Sequence, residues 1–349
     1  MHMADALLSP AVGGTLWGVA GSAIAYSSMK VKKELDERKV PLMGVLGAFI
    51  FAAQMINFTI PATGSSGHLG GGLLLTILLG PHAAFLTIAS VLVVQSLFFA
   101  DGGILALGCN IFNLGFFPAF IAYPLIYCKI AGSKPGRGRL TAAAIIAAVI
   151  GLQLGALAVV LETVASGISS LPFSAFVGLM LPIHLAIGIV EGVVTASVVS
   201  FVSVVRPEII AGAATPGSFA NLPLRNVLLG FLVASLLTGG VVSRFASEKP
   251  DGLEWAIAGV TGSEEVAGAE TGLHGLLAAV QEKIALLPDY AFPEVGQATD
   301  DWAGLGHPAL PLEANSGLGT SVAGGIGAAI SLFLAFGIGL VLKRVRSEE

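Results

Sequence analysis

The chain has 349 residues, 55% of them hydrophobic and only 11% charged, with a formal net charge of −5. Soluble domains carry roughly 25% charged residues, so this composition excludes an ordinary water-coated globule and points to a bilayer. Its two cysteines, Cys109 and Cys128, lie in or beside apolar runs, which argues against a disulfide framework.

The opening Met1-His2-Met3-Ala4-Asp5 has no basic stretch, so no cleaved signal peptide is expected. Apolar stretches follow near 11–29, 42–59, 69–80, 83–99, 104–128, 140–163, 172–204, 226–243 and 321–342. A hydrocarbon core of ~30 Å needs about 20 apolar residues per helix, and only helices or closed barrels satisfy their own backbone in lipid. Strand-like alternation is absent. The expected fold is therefore an all-α, polytopic integral membrane helical bundle of about nine transmembrane helices, seven plus two. The stretch at 69–80 is short and stops at Gly80-Pro81; it is expected to cross by tilting or by borrowing residues around the proline.

With the N-terminus outside and the C-terminus cytoplasmic, 14 of the 17 basic residues fall on the inner side. They cluster at Lys30–Lys39, Lys129–Arg139, Arg206, Arg225 and Lys343–Arg346. That is a strong positive-inside pattern. Three units are expected: 1–205 with seven helices, a cytoplasmic linker at 206–225 carrying Pro207, Pro216, Gly217 and Pro223, and 226–349 with two helices. Those two helices flank an outer segment, 244–320, that holds twelve acids against Arg244, Lys249 and Lys283. It reads as a solvated, partly disordered loop or as an antechamber that concentrates cations.

His2 carries the sharpest chemistry. A side chain this large at position 2 should block removal of Met1, leaving the Met1 amine, the His2 amide nitrogen and the His2 imidazole to chelate one ion in fused rings. Such a nitrogen-rich, planar set suits Ni²⁺ or Cu²⁺ and accepts Co²⁺, but not Mg²⁺ or Ca²⁺. His68, in the glycine-rich loop Gly64-Ser65-Ser66-Gly67-His68-Leu69-Gly70-Gly71-Gly72, is the candidate fourth donor. The plainer alternative makes His2 a frayed end and His68 a helix cap. Asp101 reads first as an N-cap of the following helix, with support of a ligand behind it. Asn110 and Asn113 share a helix face and either join helices or orient the metal loop. His184 and Glu191, seven apart in mid-membrane, are candidates for permeation or partner contact. His82, His274 and His307 read as structural, and Cys109 as a small core residue. No phosphate-loop motif is present, so any ATP coupling must come from a partner. No catalytic residue or cofactor is expected.

Three stretches together resemble the CbiM/NikM family, the substrate-binding S components of energy-coupling-factor cobalt and nickel transporters. They are the Met1-His2 start, the loop ending at His68, and the long string Gln95–Gly115. The tail resembles the two-span partner CbiN or NikN through Pro250-Asp251-Gly252-Leu253-Glu254 and Pro288-Asp289-Tyr290-Ala291-Phe292-Pro293. The resemblance implies a fusion of both subunits, with Met1, His2 and His68 binding Co²⁺ or Ni²⁺ as transported substrate. It also implies a transmembrane coupling subunit, cytoplasmic ABC-type ATPases and the lipid bilayer of a prokaryotic cell membrane as partners, and no nucleic acid. The start departs from the family pattern, because Met3-Ala4-Asp5-Ala6 replaces the Pro-Asp-Gly or Met-Glu-Gly of many members. Two rivals stand beside this reading: an uncoupled channel or secondary cation transporter using Asp101, His184 and Glu191, and a membrane hydrolase using Ser65 or Ser66.

Overall fold

A computed structural model describes residues 1–34, 38–132, 136–206, 209–210, 223–266, 268–269, 271–292 and 316–347. The linker residues Pro207, Pro216 and Gly217 lie outside the described residues, as do Glu270, Glu294, Asp300, Asp301, His307 and Glu313 of the acidic segment.

Eleven helices make up the described chain: α1 (Pro10–Glu34), α2 (Lys39–Gln54), α3 (Gly72–Leu79), α4 (Pro81–Phe99), α5 (Leu107–Ala131), α6 (Arg137–Ser166), α7 (Phe173–Val205), α8 (Leu224–Gly240), α9 (Gly252–Thr261), α10 (Gly272–Ile284) and α11 (Ser316–Ser347). Six of them, α4 to α7, α11 and α8 with the 3₁₀ turn that follows it, are long and apolar enough to cross a membrane. The protein is a polytopic, multi-pass membrane protein. Alanine- and glycine-rich α6 packs along α7, and α5 lies against α6 on its other side. From Phe112 to Tyr127 the α5 backbone winds in wider, π-type turns, in the stretch that contains Pro118 and Pro124. A proline lacks the N–H of a regular turn and crowds the carbonyl four residues back, so a wider winding relieves that clash.

Two expected spans come out shorter than the apolar runs that announced them. In place of 42–59, α2 ends at Gln54, and the chain turns into a two-residue hairpin strand, β1 (Phe58–Thr59), pairing antiparallel with β2 (Ser66–Gly67). In place of 69–80, α3 has only eight residues, about 12 Å at the helical rise, well short of the ~30 Å core. Gly80 caps the end of α3 and the start of α4, and Pro81 is the first residue of α4. The chain ahead of α3 is non-helical yet buried at Ser65–Gly67, Gly70 and Gly71. Irregular backbone is tolerated inside a membrane bundle where protein surrounds it.

The tail helices α8 and α11 pack on α2, which places the tail beside the hairpin and the glycine loop. The contact between α8 and α11 is backbone to backbone. A Cβ at Gly324 would sit 2.1 Å from the carbonyl oxygen of Gly239, the close approach that small residues allow between membrane helices. The segment 244–320 is more than a solvated loop over its described part: α9 and α10 fold there, and α9 packs on α7.

Replacing Gly324 by Val should force α8 and α11 apart, at a cost of about 1–3 kcal/mol or more for overpacking against backbone. Thermal unfolding in detergent should show a lowered midpoint for Gly324→Val. Gly325→Val, where nothing lies within 4 Å, should unfold like the parent.

Candidate metal centre

The N-terminal segment is threaded into the bundle and held by its own backbone. Asn110 on α5 takes the Met3 N–H on its side-chain oxygen at 2.8 Å and donates its amide to the Met3 carbonyl at 3.2 Å. The Gly103 N–H donates to that same carbonyl at 3.0 Å. Asp5 accepts from the Ala106 N–H at 2.9 Å, so Asp5 serves the end of α5 where Asp101 was expected to cap it. Asn113 donates to Glu162 at 2.8 Å and lies 3.8 Å from the Met3 sulfur. Both asparagines therefore hold the first residues of the chain rather than joining helix to helix alone.

His68 meets that segment from the other side. A carbonyl only accepts, so the 3.1 Å contact of His68 Nδ1 with the Leu69 carbonyl places the ring proton on Nδ1. The Nε2 lone pair is left facing the Met1 amine, 3.0 Å away. The His2 ring stacks on the His68 ring, 5.1 Å between centroids and 8° from parallel. Side-chain exposure is 6% for His2 and 9% for His68, which removes the frayed-end and helix-cap alternatives. Burial, then the neighbouring Met1 ammonium, lowers the His68 pKa below the usual histidine range, against the opposing charge of Asp251.

The loop that presents His68 is fixed from α7. Glu191 accepts the N–H of Gly70 at 2.9 Å and of Gly71 at 3.0 Å, one on each oxygen. Gln54 donates to the Gly70 carbonyl at 2.9 Å. Gly71 sits at φ 75°, and a Cβ on Gly72 would lie 2.3 Å from the Leu114 carbonyl, so neither position admits a side chain without movement. Burying a carboxylate costs several kcal/mol, and hydrogen bonds to a charged group return about 1.5–3 kcal/mol each. The two roughly balance, which makes Glu191 a positioning group more than a source of stability. This corrects the permeation and partner-contact expectation, since Glu191 is buried and committed to the loop. His184 is buried too; its Nδ1–H donates to the Met180 carbonyl at 2.8 Å, and its Nε2 has no hydrogen-bond partner.

Asp101 departs most from expectation. It caps no helix; its Oδ1 bonds His2 Nδ1 at 2.9 Å, and its Oδ2 accepts from the Tyr290 hydroxyl at 2.5 Å. Burial alone would raise its pKa, but the His2 charge, the His2 hydrogen bond and the Tyr290 hydrogen bond together hold it well below the usual carboxylate range. Burial and the adjacent Asp101 push the Tyr290 hydroxyl well above the usual phenol range.

Sequence reasoning passed over two site residues, both in the tail. Asp251 bonds the Met1 amine directly and lies 3.8 Å from His68 Nε2. Tyr290 reaches Asp101. Backbone contacts hold the tail in place: Ser66 N–H donates to the Pro250 carbonyl at 2.8 Å, Ser247 N–H to the Asn57 carbonyl at 2.7 Å, and Leu286 N–H to the Phe98 carbonyl at 2.8 Å. The Ser66 hydroxyl donates to the Lys249 carbonyl at 2.7 Å and the Ser65 hydroxyl to the Pro250 carbonyl at 3.3 Å, so both serines bind tail backbone rather than a histidine. The signal for Asp251 was present in the Pro250–Glu254 motif, but nothing local to that motif names a partner 250 positions away. His274 keeps its structural role, with Nε2 at 2.8 Å from the Leu8 carbonyl. Among the described residues, no three His, Cys, Asp or Glu side chains converge at metal-binding distance, and the third nitrogen or oxygen beside His68 and Asp251 is the Met1 amine.

Residues 2–209 match the CbiM family, described as the cobalt uptake substrate-specific transmembrane region, and residues 225–344 match the PDGLE domain. The chain is 33% identical over 344 residues to an Archaeoglobus fulgidus protein provisionally named as fused nickel transport protein NikMN, covering 97% of this chain and 98% of that one. The fused nickel transport protein NikMN of Rhodobacter capsulatus is 30% identical, with 83% of this chain and 88% of that protein aligned. A crystal structure of a truncated transition metal transporter superposes with a TM-score of 0.52 at 31% identity, covering 58% of this chain and 98% of that chain. The chain thus belongs to the CbiM family, as a NikMN-like membrane component of cobalt or nickel transport, not an enzyme, that carries a PDGLE domain in the same polypeptide.

Proposed function

We propose that the chain captures Co²⁺ or Ni²⁺ from outside through the Met1 amine, the His2 amide nitrogen and imidazole Nδ1, and His68 Nε2. The observation that carries this reading is the buried 3.0 Å approach of the Met1 amine to the lone-pair nitrogen of His68. Neighbouring donors on one ion at ~2 Å bond lengths stand about 3 Å apart, so these two nitrogens already have the right spacing. His2 Nδ1 joins them by exchanging Asp101 for the metal. Glu191, Gln54, Asn110 and Asn113 orient the ligands, as the groups around a metal's donors generally do.

In this reading the first unit is an S component of seven helices, 1–205, joined through 206–225 to a two-helix module, 226–349. The bundle crosses nine times with its N-terminus outside, in the cytoplasmic membrane of a prokaryote, and the short α3 completes its crossing with the buried irregular chain ahead of it. A transmembrane coupling subunit and ABC-type ATPases supply the energy that the chain itself has no motif to harvest. The uncoupled-channel alternative loses support because Asp101 and Glu191 are both committed to the capture loop and its ligands.

Calorimetric titration of the purified chain with Ni²⁺ and Co²⁺ should show tight 1:1 binding. One residue added before Met1, or His68→Ala, should each weaken it by about 100-fold or more, since each removes a donor outright. Equal binding by all three proteins would defeat the terminal site. Glu191→Gln keeps the size but loses one acceptor for the loop, and should weaken metal binding about tenfold while leaving the fold intact.

Acid should oppose binding, because the ion displaces protons. The Met1 ammonium and the His2 amide each release one, so affinity should fall about 100-fold per pH unit below neutrality. The lowered His68 pKa keeps that ring neutral at pH 7, so its own proton competes only below the ordinary histidine range. A pH-independent affinity between pH 5 and 7 would count against amide and amine coordination.

A further inference from the structure

The tail motif does more at the site than cover it. Asp251 is the N-cap of α9, and its two carboxylate oxygens are divided between two tasks. Its Oδ1 takes the N–H groups of Leu253 and Glu254 at 2.7 and 2.9 Å, while the Glu254 side chain returns to the Asp251 N–H at 2.8 Å. This reciprocal capping box fixes the carboxylate plane. The other oxygen, Oδ2, is thereby aimed away from the helix at the Met1 amine, 3.8 Å from His68 Nε2. Gly252 makes the approach possible, because a Cβ there would meet His184 Cε1 at 3.0 Å and Ile187 at 3.1 Å.

A small void, with room for about one water, is walled by Met1, His68, His184, Asp251 and Gly252. His184, whose buried Nε2 has no hydrogen-bond partner, is one of the residues of that wall. His2, by contrast, is occupied: Asp101 holds its Nδ1, and Tyr290 of the tail holds Asp101. In this arrangement the Met1 amine, His68 Nε2 and Asp251 Oδ2 stand together while the second imidazole is turned to Asp101.

We propose that Asp251 is itself a metal ligand, holding the incoming ion with the Met1 amine and His68 Nε2 before His2 leaves Asp101 and closes the nitrogen chelate. The inference rests on the terminal-site reading above and adds an earlier stage to it. A mixed set of two nitrogens and one oxygen accepts Co²⁺, Ni²⁺ or Zn²⁺ with little discrimination, and needs no loss of an amide proton. Selection for a planar, nitrogen-rich ion is deferred to the closing of His2. A water retained by the ion has the void to sit in and His184 Nε2 to donate to. The tail is then a donor to the metal, with Asp251 as its contribution.

The test uses the full chain in detergent and Co²⁺ alone as probe, followed by visible d–d absorption and calorimetry. His2→Gln removes the chelating imidazole and, being large, retains Met1. It should still bind one Co²⁺, at least about tenfold more weakly than the parent, with the visible bands of an open nitrogen–oxygen set. Adding Asp251→Asn, which keeps the helix cap, should abolish those bands and cost at least a further tenfold. Asp251→Glu on the same background should bring the bands back, which a purely structural role for the residue would not do. The inference is overturned if His2→Gln binds no Co²⁺, if Asp251→Asn leaves its titration unchanged, or if Asp251→Glu fails to restore the bands. Loss of tight binding by the parent itself would instead sink the terminal-site reading. A parent that binds tightly and depends on His68, together with an indifferent Asp251, would sink this inference alone.

Discussion

Much of the described architecture follows from one constraint, the burial of a terminal ammonium group. A charge removed from water needs an opposite charge and hydrogen-bonding partners at once, and the Met1 amine has both in Asp251 and His68. Burial alone would raise the Asp251 carboxyl, yet the adjacent Met1 ammonium holds it well below the usual carboxylate range. Holding the amine there requires that the following residues stay in place, which is the work of Asn110 on Met3 and of the Ala106 N–H on Asp5. The wide-wound α5 and the glycine loop are shaped around that threaded segment.

The site is assembled from chain ends and loops that no single element could hold. His68 depends on a loop whose carbonyls and N–H groups are taken up by Gln54 and Glu191 from two different helices. The tail reaches the same place along the hairpin edge, through backbone bonds joined by the Ser65 and Ser66 hydroxyls on tail carbonyls. Those bonds hold the tail, while two other side chains, Asp251 and Tyr290, reach the site itself. Glu254 shows the cost of the crowding: burial first, and then the Asp251 charge beside it, push its pKa up to about 7.

Helix positions were legible in the sequence wherever an apolar run was long, because about 20 apolar residues in succession leave little alternative to a membrane helix. Runs that straddled a break were misjudged. Met55, Ile56 and Phe58 extend the apolar α2 run past its end at Gln54, and only the fold reveals that the chain there turns into the hairpin. Among site residues, Met1, His2 and His68 were legible from ligand chemistry and the family resemblance. Asp101 was read first as a helix cap and second as support for a ligand, and the second reading had no named target, since a sequence shows its neighbours in the chain and not His2, 99 positions earlier. Spacing put His184 and Glu191 on one face of α7, and periodicity can say no more than that; which loop the face meets is a tertiary fact. Asp251 and Tyr290 were visible as motif residues without a target, because contacts between the ends of a chain leave no local signature.

The buried amine also bears on how the two matched regions hold to one another. Asp251, which bonds the Met1 amine, belongs to the PDGLE region at residues 225–344, while the groups that hold Met3 and Asp5 belong to the CbiM region at residues 2–209. Drawing the tail away from the first residue would leave a buried ammonium without its counter-charge, and breaking a buried ion pair in that way costs about 3–5 kcal/mol. Departure of the tail is therefore a step that calls for a replacement charge at the same place.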